Sequence, residues 1–212
     1  MTERRNRLRV AIPTGSLLAA IVFAHPAVAM RGRMQGETYF SPNGDFSCVV
    51  DHYDLGEIKV KDNFNRSAGT VSFNDFFDIT RVDVEMFEKY VDPASFSQDV
   101  LQRNHEYYFE RHVIPLVDAG VKDATVLSRR FIAGNVPTYE SVMKLPRKGY
   151  DQIRGAIQYT DGHAMYVVSV VHAMRPELGW TMERETDDIS KTTRAAFERC
   201  RFGKPGTASE RK

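Results

Sequence analysis

The chain has 212 residues, of which 42% are hydrophobic and 27% are charged, and its formal net charge is +1. This composition supplies enough apolar side chains for one sizeable core and predicts a single folded domain. The near-neutral charge excludes the strongly basic footprint that is typical of nucleic-acid-binding proteins.

The first 29 residues have the three-part layout of a secretory signal peptide. Four arginines form its basic start: Arg4, Arg5, Arg7 and Arg9. A mostly apolar stretch covers residues 10–24, Pro26 breaks it, and Ala27 and Ala29 supply the small side chains that a signal peptidase reads. We expect cleavage after Ala29 and a protein that is periplasmic or secreted.

An uncleaved membrane anchor and a misassigned start are the alternatives. A spanning helix needs about 20 apolar residues, whereas polar and helix-breaking residues at 13–16 dilute this stretch. Cleavage removes four arginines and one glutamate from 29 basic and 28 acidic residues, which leaves 183 residues with 25 basic and 27 acidic side chains, a formal net charge of −2. No second long apolar run follows, so we expect a soluble mature chain without a transmembrane segment.

Cys48 and Cys200 are the two cysteines of the chain. An even pair in an exported protein favours a disulfide. This bond would tie the first strands to the last helix, and two buried free thiols are the alternative.

Short strands dominate the first half of the domain, which we expect to cover residues 38–202 after a polar, flexible segment at 30–37. The sequence Ser41-Pro42-Asn43-Gly44 predicts a turn, because Pro presets its φ angle and Asn-Gly accepts positive φ. The predicted strands of this half lie at 38–40, 46–50, 58–61, 69–73 and 79–86.

A long amphipathic helix is predicted next, capped by Ser95 or Ser97 and running to about residue 118. Apolar side chains recur every seven residues and predict the face that packs on the core. The residues of this stripe are Val100, Tyr107, Ile114 and Val121, widened by Leu101, Tyr108 and Val117. Pro115 is expected to loosen its last turn, and Gly120 to end it.

Four strands and a final helix complete the domain. The strands are predicted at 124–132, 137–145, 152–160 and 164–172, and Asp161-Gly162 is a hairpin turn. The last of them is apolar on both faces, which predicts a central strand covered on both sides. The final helix is predicted over about 187–201, capped by Thr186 or Asp187, and the polar tail at 203–212 is expected to be disordered.

This order of elements, together with one short motif, resembles the PsbP/Mog-like superfamily. The motif residues are Tyr39, Ser41, Pro42, Gly44 and Phe46, and residues 69–73 look like the next strand of that pattern. The resemblance covers about residues 38–202 and implies an α+β fold, with an antiparallel β-sheet sandwiched between helices in the order β-β-β(β)-α-β-β-β-β-α.

The resemblance also implies a style of action. Members of the superfamily act mostly by binding: one branch docks on a photosynthetic complex, another on a small GTPase, and many bacterial members have no assigned role. The superfamily offers no shared catalytic residues to transfer. Since a shared fold does not fix a partner, the partner stays open.

The histidines give little support for a metal site. His105 and His112 share one side of the predicted helix, but two helical turns separate them by about 10 Å, too far for one metal ion. Asp51, His52 and Asp54 form a weak alternative. We therefore predict no metal site and no cofactor.

Serines and carboxylates are weak catalytic candidates. The chain has no G-x-S-x-G motif, and the strand serines are more simply sheet residues; they are Ser72, Ser128, Ser141 and Ser169. Alternation puts Asp83 and Glu85 on one strand face, near Asp75 and Asp78, where a calcium or acid–base site is the alternative to a solvated face. We predict no catalytic residue.

A basic surface and the single tryptophan are the candidates for interaction. The surface residues cluster on one predicted hairpin and its exit: Arg129, Arg130, Lys144, Arg147 and Lys148, with Tyr139 and Tyr150 nearby. They fit an anionic partner or a membrane surface, and a solvated hairpin is the plain alternative. Trp180 precedes the final helix and either closes the edge of the core or anchors a partner.

The sequence thus predicts a non-catalytic, exported binding or accessory protein of the bacterial cell envelope, whose partner is a protein or another envelope component and not a nucleic acid. An unrecognised periplasmic hydrolase or a metal-binding protein is the alternative.

Overall fold

The computed structural model describes residues 30–50, 58–75, 78–109 and 124–203. The predicted signal at 1–29 and all of the predicted tail except residue 203 lie outside these residues. Within them the chain is a mixed α/β domain dominated by two antiparallel sheets, with two α-helices.

The smaller sheet has four strands, and their spatial order is β1-β2-β3-β11. Its strands are β1 Arg33–Gln35, β2 Thr38–Phe40, β3 Phe46–Val49 and β11 Cys200–Phe202. The predicted turn joins β2 to β3, and Gly44 there has a φ of +67°. The Ser41 hydroxyl accepts the amides of Asp45 and Phe46, which fixes the turn.

The larger sheet has seven antiparallel strands in the order β4-β5-β6-β10-β9-β8-β7. Its strands are β4 Lys59–Phe64, β5 Ala68–Asn74, β6 Asp78–Met86, β7 Thr125–Ile132, β8 Thr138–Arg147, β9 Tyr150–Thr160 and β10 Ala164–Ala173. The prediction of a covered central strand is confirmed, since β10 lies between β6 and β9 and is buried from Ala164 to Val170.

One face of the larger sheet carries the main core. The smaller sheet and α2 (Met182–Glu198) pack on this face, where Phe46, Val168 and Ile189 belong to one buried cluster. Gly155 permits close approach, because a β-carbon there would lie 2.1 Å from Thr193 Oγ1 of α2.

The opposite face carries α1 (Gln98–Tyr108), which packs beside β8. The Ser97 hydroxyl accepts the Val100 amide and caps α1, as predicted. The buried side chains of α1 are Leu101 and His105, whereas Tyr107 is 53% exposed. The predicted stripe is therefore wrong at Tyr107; Ile114, Pro115, Val117, Gly120 and Val121 lie outside the described residues.

The final helix begins earlier than predicted. Thr181, rather than Thr186 or Asp187, caps α2, and its hydroxyl accepts the Arg184 amide at 3.3 Å. Glu183 and Glu185 in the first turn favour this start because they complement the positive end of the helix dipole.

Two short strands also differ from the predicted order. Arg33–Gln35, within the segment expected to be flexible, pairs with β2 as β1. Cys200, expected on the last helix, lies on β11 opposite Cys48, and the two cysteines form the predicted disulfide with a Cα–Cα distance of 4.0 Å.

Candidate binding site on the α1 face

A cavity of about 510 Å³ lies between α1 and the larger sheet. Its floor follows a single row of cross-strand neighbours, which are Gln158, Val167, Asp83, Thr70 and Asn63 from β9 to β4. Because side chains alternate between the faces of a strand, every member of such a row points to the same face. Binding cavities for small molecules have volumes of this size.

Asp83 anchors a polar network at the edge of the cavity. Arg81 Nε lies 2.8 Å from Asp83 Oδ2, and the Tyr108 hydroxyl of α1 donates to the same carboxylate oxygen. The buried guanidinium of Arg154 donates to the Tyr108 hydroxyl at 3.2 Å and to Ser169 Oγ at 2.9 Å. The network therefore fixes the last turn of α1 to three strands.

Burial and charge set the protonation of this network. Burial and the Asp83 carboxylate raise the pKa of Tyr108, so its hydroxyl remains a hydrogen-bond donor at neutral pH. Burial lowers the pKa of Arg81, but its hydrogen bonds and attraction to Asp83 outweigh that effect and raise the pKa overall. Asp83 is thereby committed to the fold as an ion-pair partner.

Gln158 lies at the inner end of the cavity, and its side chain is 1% exposed. Neither its amide nitrogen nor its amide oxygen makes a well-formed hydrogen bond in the part of the chain that the structure describes, but the amide lies within hydrogen-bonding reach of the His105 ring. Gln158 and His105 are therefore neighbouring polar groups buried beneath α1.

His105 lies over the same part of the sheet and contacts Ser141, with 2.6 Å between His105 Nε2 and Ser141 Oγ. Burial lowers the pKa of His105 to about 4, and the nearby Arg154 guanidinium adds to this lowering. Gln158 lies close to the ring and opposes the lowering, although His105 Nδ1 makes no well-formed hydrogen bond. The imidazole is therefore neutral at pH 7.

The contact between Ser141 and His105 resembles the serine–histidine part of a serine hydrolase site. The serine and the histidine are both buried, and no carboxylate among the described residues accepts a hydrogen bond from His105 Nδ1. A nucleophile needs access to its substrate, and its base needs a pKa near the working pH. The pair has neither property, so it is a buried polar contact of the α1 packing.

The outer rim of the cavity is acidic and aromatic. Glu85 lies on the same face as Asp83, as the alternation predicted, and it is exposed. The described residues offer Glu85 no basic partner within ion-pair distance. Phe87 and Tyr107 also line the cavity.

The other candidate metal and catalytic residues of the sequence analysis are not brought together in a site among the described residues. Asp51, His52, Asp54 and His112 lie outside the described residues. Asp75 accepts the Asp78 amide at 2.6 Å, and Asp78 contacts His172. In the described part of the chain, no group of three or more histidine, cysteine, aspartate or glutamate side chains is arranged to hold a metal ion. Ser169 serves the Arg154 network, and Ser72 and Ser128 are ordinary strand residues.

The residues of the predicted basic surface lie in two separate regions of the larger sheet. Arg129 lies opposite Ser141 on β8 and pairs with Glu106 of α1 at 3.3 Å. Its neighbour Arg130 lies opposite Glu140. Arg147, Lys148 and Tyr150 lie at the β8–β9 turn, which is six residues farther along β8, or roughly 20 Å. Lys144 pairs with Asp151 at 2.6 Å.

Trp180 stands between two guanidinium groups. Arg175 Cζ lies 3.9 Å and Arg184 Cζ 4.2 Å from the centre of its ring. Arg175 in turn donates to Asp188 at 2.7 Å, and its backbone amide donates to the buried Glu185. The stack holds the loop before α2 against that helix, so Trp180 has a structural role at the edge of the fold.

Three of these residues had no place in the sequence prediction of a site: Gln158, Arg81 and Arg154. Their one signal was a polar side chain at alternating positions of a predicted strand, on the face that α1 covers. Asp83 and Glu85 were found by alternation, but their different environments depend on the position of α1.

No helix among the described residues is long and apolar enough to cross a membrane. The chain matches no protein-family model, and no curated protein matches it. Among solved structures it is similar to the Ran-binding protein Mog1p of Saccharomyces cerevisiae, with a TM-score of 0.48, 10% sequence identity, and coverage of 82% of this chain and 97% of that chain.

Proposed function

We propose that the chain is a non-catalytic, exported binding protein of the bacterial cell envelope, and that it binds through the cavity on the α1 face. The observation that carries this proposal is the cavity of about 510 Å³, whose lining combines the aromatic side chains of Phe87 and Tyr107 with the exposed carboxylate of Glu85. Cavities of this size that combine apolar surface with a few polar groups are typical ligand sites.

Export is supported by the signal-like start of the sequence and by the Cys48–Cys200 disulfide. Binding rather than catalysis is supported by the state of the titratable groups around the cavity. Asp83 is engaged by Arg81 and Tyr108, and the His105–Ser141 pair is buried. The resemblance to the PsbP/Mog-like superfamily, whose members act mostly by binding, is in accord with this reading.

Site-specific photocrosslinking tests the location of the binding surface. A benzoylphenylalanine replaces Tyr107 at the cavity in one variant and Tyr150 at the basic β8–β9 turn in the other. The two positions are matched controls, because they are 53% and 51% exposed, respectively. Each full-length variant is irradiated in intact cells, and the adducts are identified by mass spectrometry.

We expect a discrete adduct from position 107 and none from position 150. The same adduct must disappear when the cavity is filled by a second substitution, Thr70→Trp, provided that the variant keeps its disulfide and melting temperature. Adducts from position 150 alone would refute the cavity as the binding surface and favour the basic turn. Adducts from neither position would refute both.

A further inference from the structure

A second cavity, of about 300 Å³, lies on the opposite face of the larger sheet, between α2 and the edge strand β7. We call it the α2–β7 groove. Its lining includes side chains of β7, β8 and α2, among them Ser128, Arg130, Glu140, Val142, Ser190 and Arg194. This volume is at the lower end of the range for ligand cavities, so the groove suits a small ligand built on about one ring.

The strand register places Ser128 and Arg130 of β7 on the side of the sheet that α2 covers. They lie opposite Val142 and Glu140 of β8, and residues that pair directly across two antiparallel strands point to the same face. Val142 belongs to the main core, and Glu140 contacts Arg194 of α2. The outer wall of the groove is therefore a hydroxyl beside a guanidinium.

One carboxylate serves two guanidinium groups in the groove. Arg194 takes both oxygens of Glu140, with Nε 3.2 Å from Oε1 and Nη2 2.6 Å from Oε2. Arg130 lies directly across from Glu140 and is exposed, yet it has no ion-pair partner among the described residues. The two arginines and the one glutamate leave an excess of one positive charge, and Arg130 is the group available to a ligand.

The charged neighbours of the groove do not occupy Arg130. Arg129 points to the α1 face, where it pairs with Glu106 at 3.3 Å. Glu198 attracts Arg194, but it does not line the groove. The unbalanced charge therefore stays on the outer wall.

Ser128 adds an uncommitted hydroxyl beside Arg130. Its Oγ makes no hydrogen bond within the part of the chain that the structure describes, whereas Ser190 Oγ and Thr193 Oγ1 donate to carbonyl groups of their own helix at 2.7 Å. A guanidinium donates two parallel hydrogen bonds to a carboxylate or a phosphate, and a serine hydroxyl donates one more. The outer wall thus combines donors with positive charge.

We propose that the α2–β7 groove binds a small organic oxyanion, whose anionic group is held by Arg130 and Ser128. The site goes beyond the proposed function, because it lies on the other face of the sheet and shares no lining residue with the cavity on the α1 face. Carboxylates and phosphate monoesters share the geometry that a guanidinium recognises, and the probes below separate the two.

Titrations of the isotope-labelled protein, followed by NMR, test this site. Benzoate and phenyl phosphate present the two anionic groups on one ring, and at about pH 5 each carries mainly a single negative charge. Benzamide is the uncharged counterpart of benzoate. We expect saturable shifts of the backbone amides at 128–130 and 190–194 with at least one anion, and at least tenfold weaker binding of benzamide. The anion that binds more tightly identifies the ligand class, and either order supports the site.

Substitutions on β7 locate the contact. Arg130→Gln should weaken binding of the preferred anion about tenfold, and Ser128→Ala about threefold, because each removes donors to the anionic group. Arg66→Gln makes the same change of charge at an exposed arginine between β4 and β5, outside the groove. It should leave the affinity within about twofold of the parent value, since exposed charges at that distance are screened.

Glu140→Gln should change the affinity in the opposite direction. Without the carboxylate, both Arg130 and Arg194 are available to the anion, so binding should tighten about threefold. Glu177→Gln, at an exposed glutamate outside the groove, is the matched control and should have no effect.

Three results would overturn the site: no saturable shift with either anion, shifts confined to residues away from the groove, or equal losses in Arg130→Gln and Arg66→Gln. Weaker binding by Glu140→Gln would overturn it as well. Each of these failures leaves the crosslinking test at position 107 unaffected, so the proposed function is decided separately.

Discussion

At the scale of single residues, the α1 face carries polar groups that the fold does not fully satisfy. Gln158 makes no well-formed hydrogen bond at either polar atom among the described residues, and His105 makes none at Nδ1. On the opposite side of the sheet the buried Glu185 accepts the Arg175 amide, but Arg175 Nε and Asp45 Oδ2 also lack a partner among the described residues. Incompletely satisfied polar atoms therefore occur on both sides of the larger sheet.

His105 gives the α1 face a measurable pH dependence. Its pKa falls from the ordinary 6.5 to about 4 on folding, so the unfolded chain binds more protons between these values. Stability is therefore fully present above about pH 6.5 and declines as the pH falls toward 4, by about 3 kcal/mol in total. Below that range this contribution stays constant.

Urea unfolding at a series of pH values measures this effect. His105→Gln should flatten the slope between pH 6.5 and 4 by about one proton, whereas His163→Gln, at an exposed histidine, serves as the control. A parent protein whose stability is flat across this window, or a slope that His105→Gln leaves unchanged, would show that His105 is not buried in its neutral form.

At the scale of elements, the sequence predicted the strands well because each carries its own pattern. Alternation found β6, and apolar residues on both faces placed β10 at the centre. The short strands β1 and β11 lack such a pattern, since three residues cannot show a period. They are strands because β2 and β3 offer free edges to pair with.

Helix α1 shows where sequence reasoning reached its limit. The heptad of apolar residues favoured Tyr107 as a core residue, yet Leu101 and His105 are the buried ones. The sheet face below α1 is polar at Ser141 and Gln158, so a histidine packs there as readily as an apolar group. The candidate cavity could not be predicted, because it depends on the offset of α1 across the sheet.

The packing of α2 on the sheet depends on a single missing side chain. A β-carbon at Gly155 would lie 2.1 Å from Thr193 Oγ1 and 3.1 Å from the Ile189 carbonyl oxygen. Gly155→Ala should therefore destabilise the protein by about 2–3 kcal/mol through overpacking. Gly134→Ala, where no atom lies within 4 Å, should stay within about 0.5 kcal/mol of the parent.

Chemical unfolding of the two alanine variants checks this prediction. Adding Thr193→Ala to Gly155→Ala should restore part of the loss, because it removes Oγ1, the nearest atom, while the β-carbon of residue 193 at 3.0 Å remains. Equal stabilities of the Gly155 and Gly134 variants would mean that α2 lies farther from the sheet than the structure has it.

At the scale of the whole molecule, the two faces of the larger sheet differ in how they are packed. The smaller sheet and α2 bury the apolar face, and the disulfide closes that side by joining β3 to β11. The α1 face carries the cavity and its polar floor. The apolar cluster on one side therefore supports a side that is less completely packed.

The disulfide should make the largest single contribution to this stability. It closes a loop with a sequence separation of 152 residues, for which loop entropy predicts about 5 kcal/mol.

Expressed with residues 1–29 in a bacterium, the protein should be recovered starting at Met30 with both thiols protected from alkylation. The chain begun at Met30 and kept in the reducing cytoplasm should alkylate at Cys48 and Cys200 and unfold at lower urea concentration. Because the same fold is compared with and without one bond, the difference in midpoint measures the bond itself. Two alkylated thiols in the exported, unreduced protein would contradict both the bond and the compartment inferred from it.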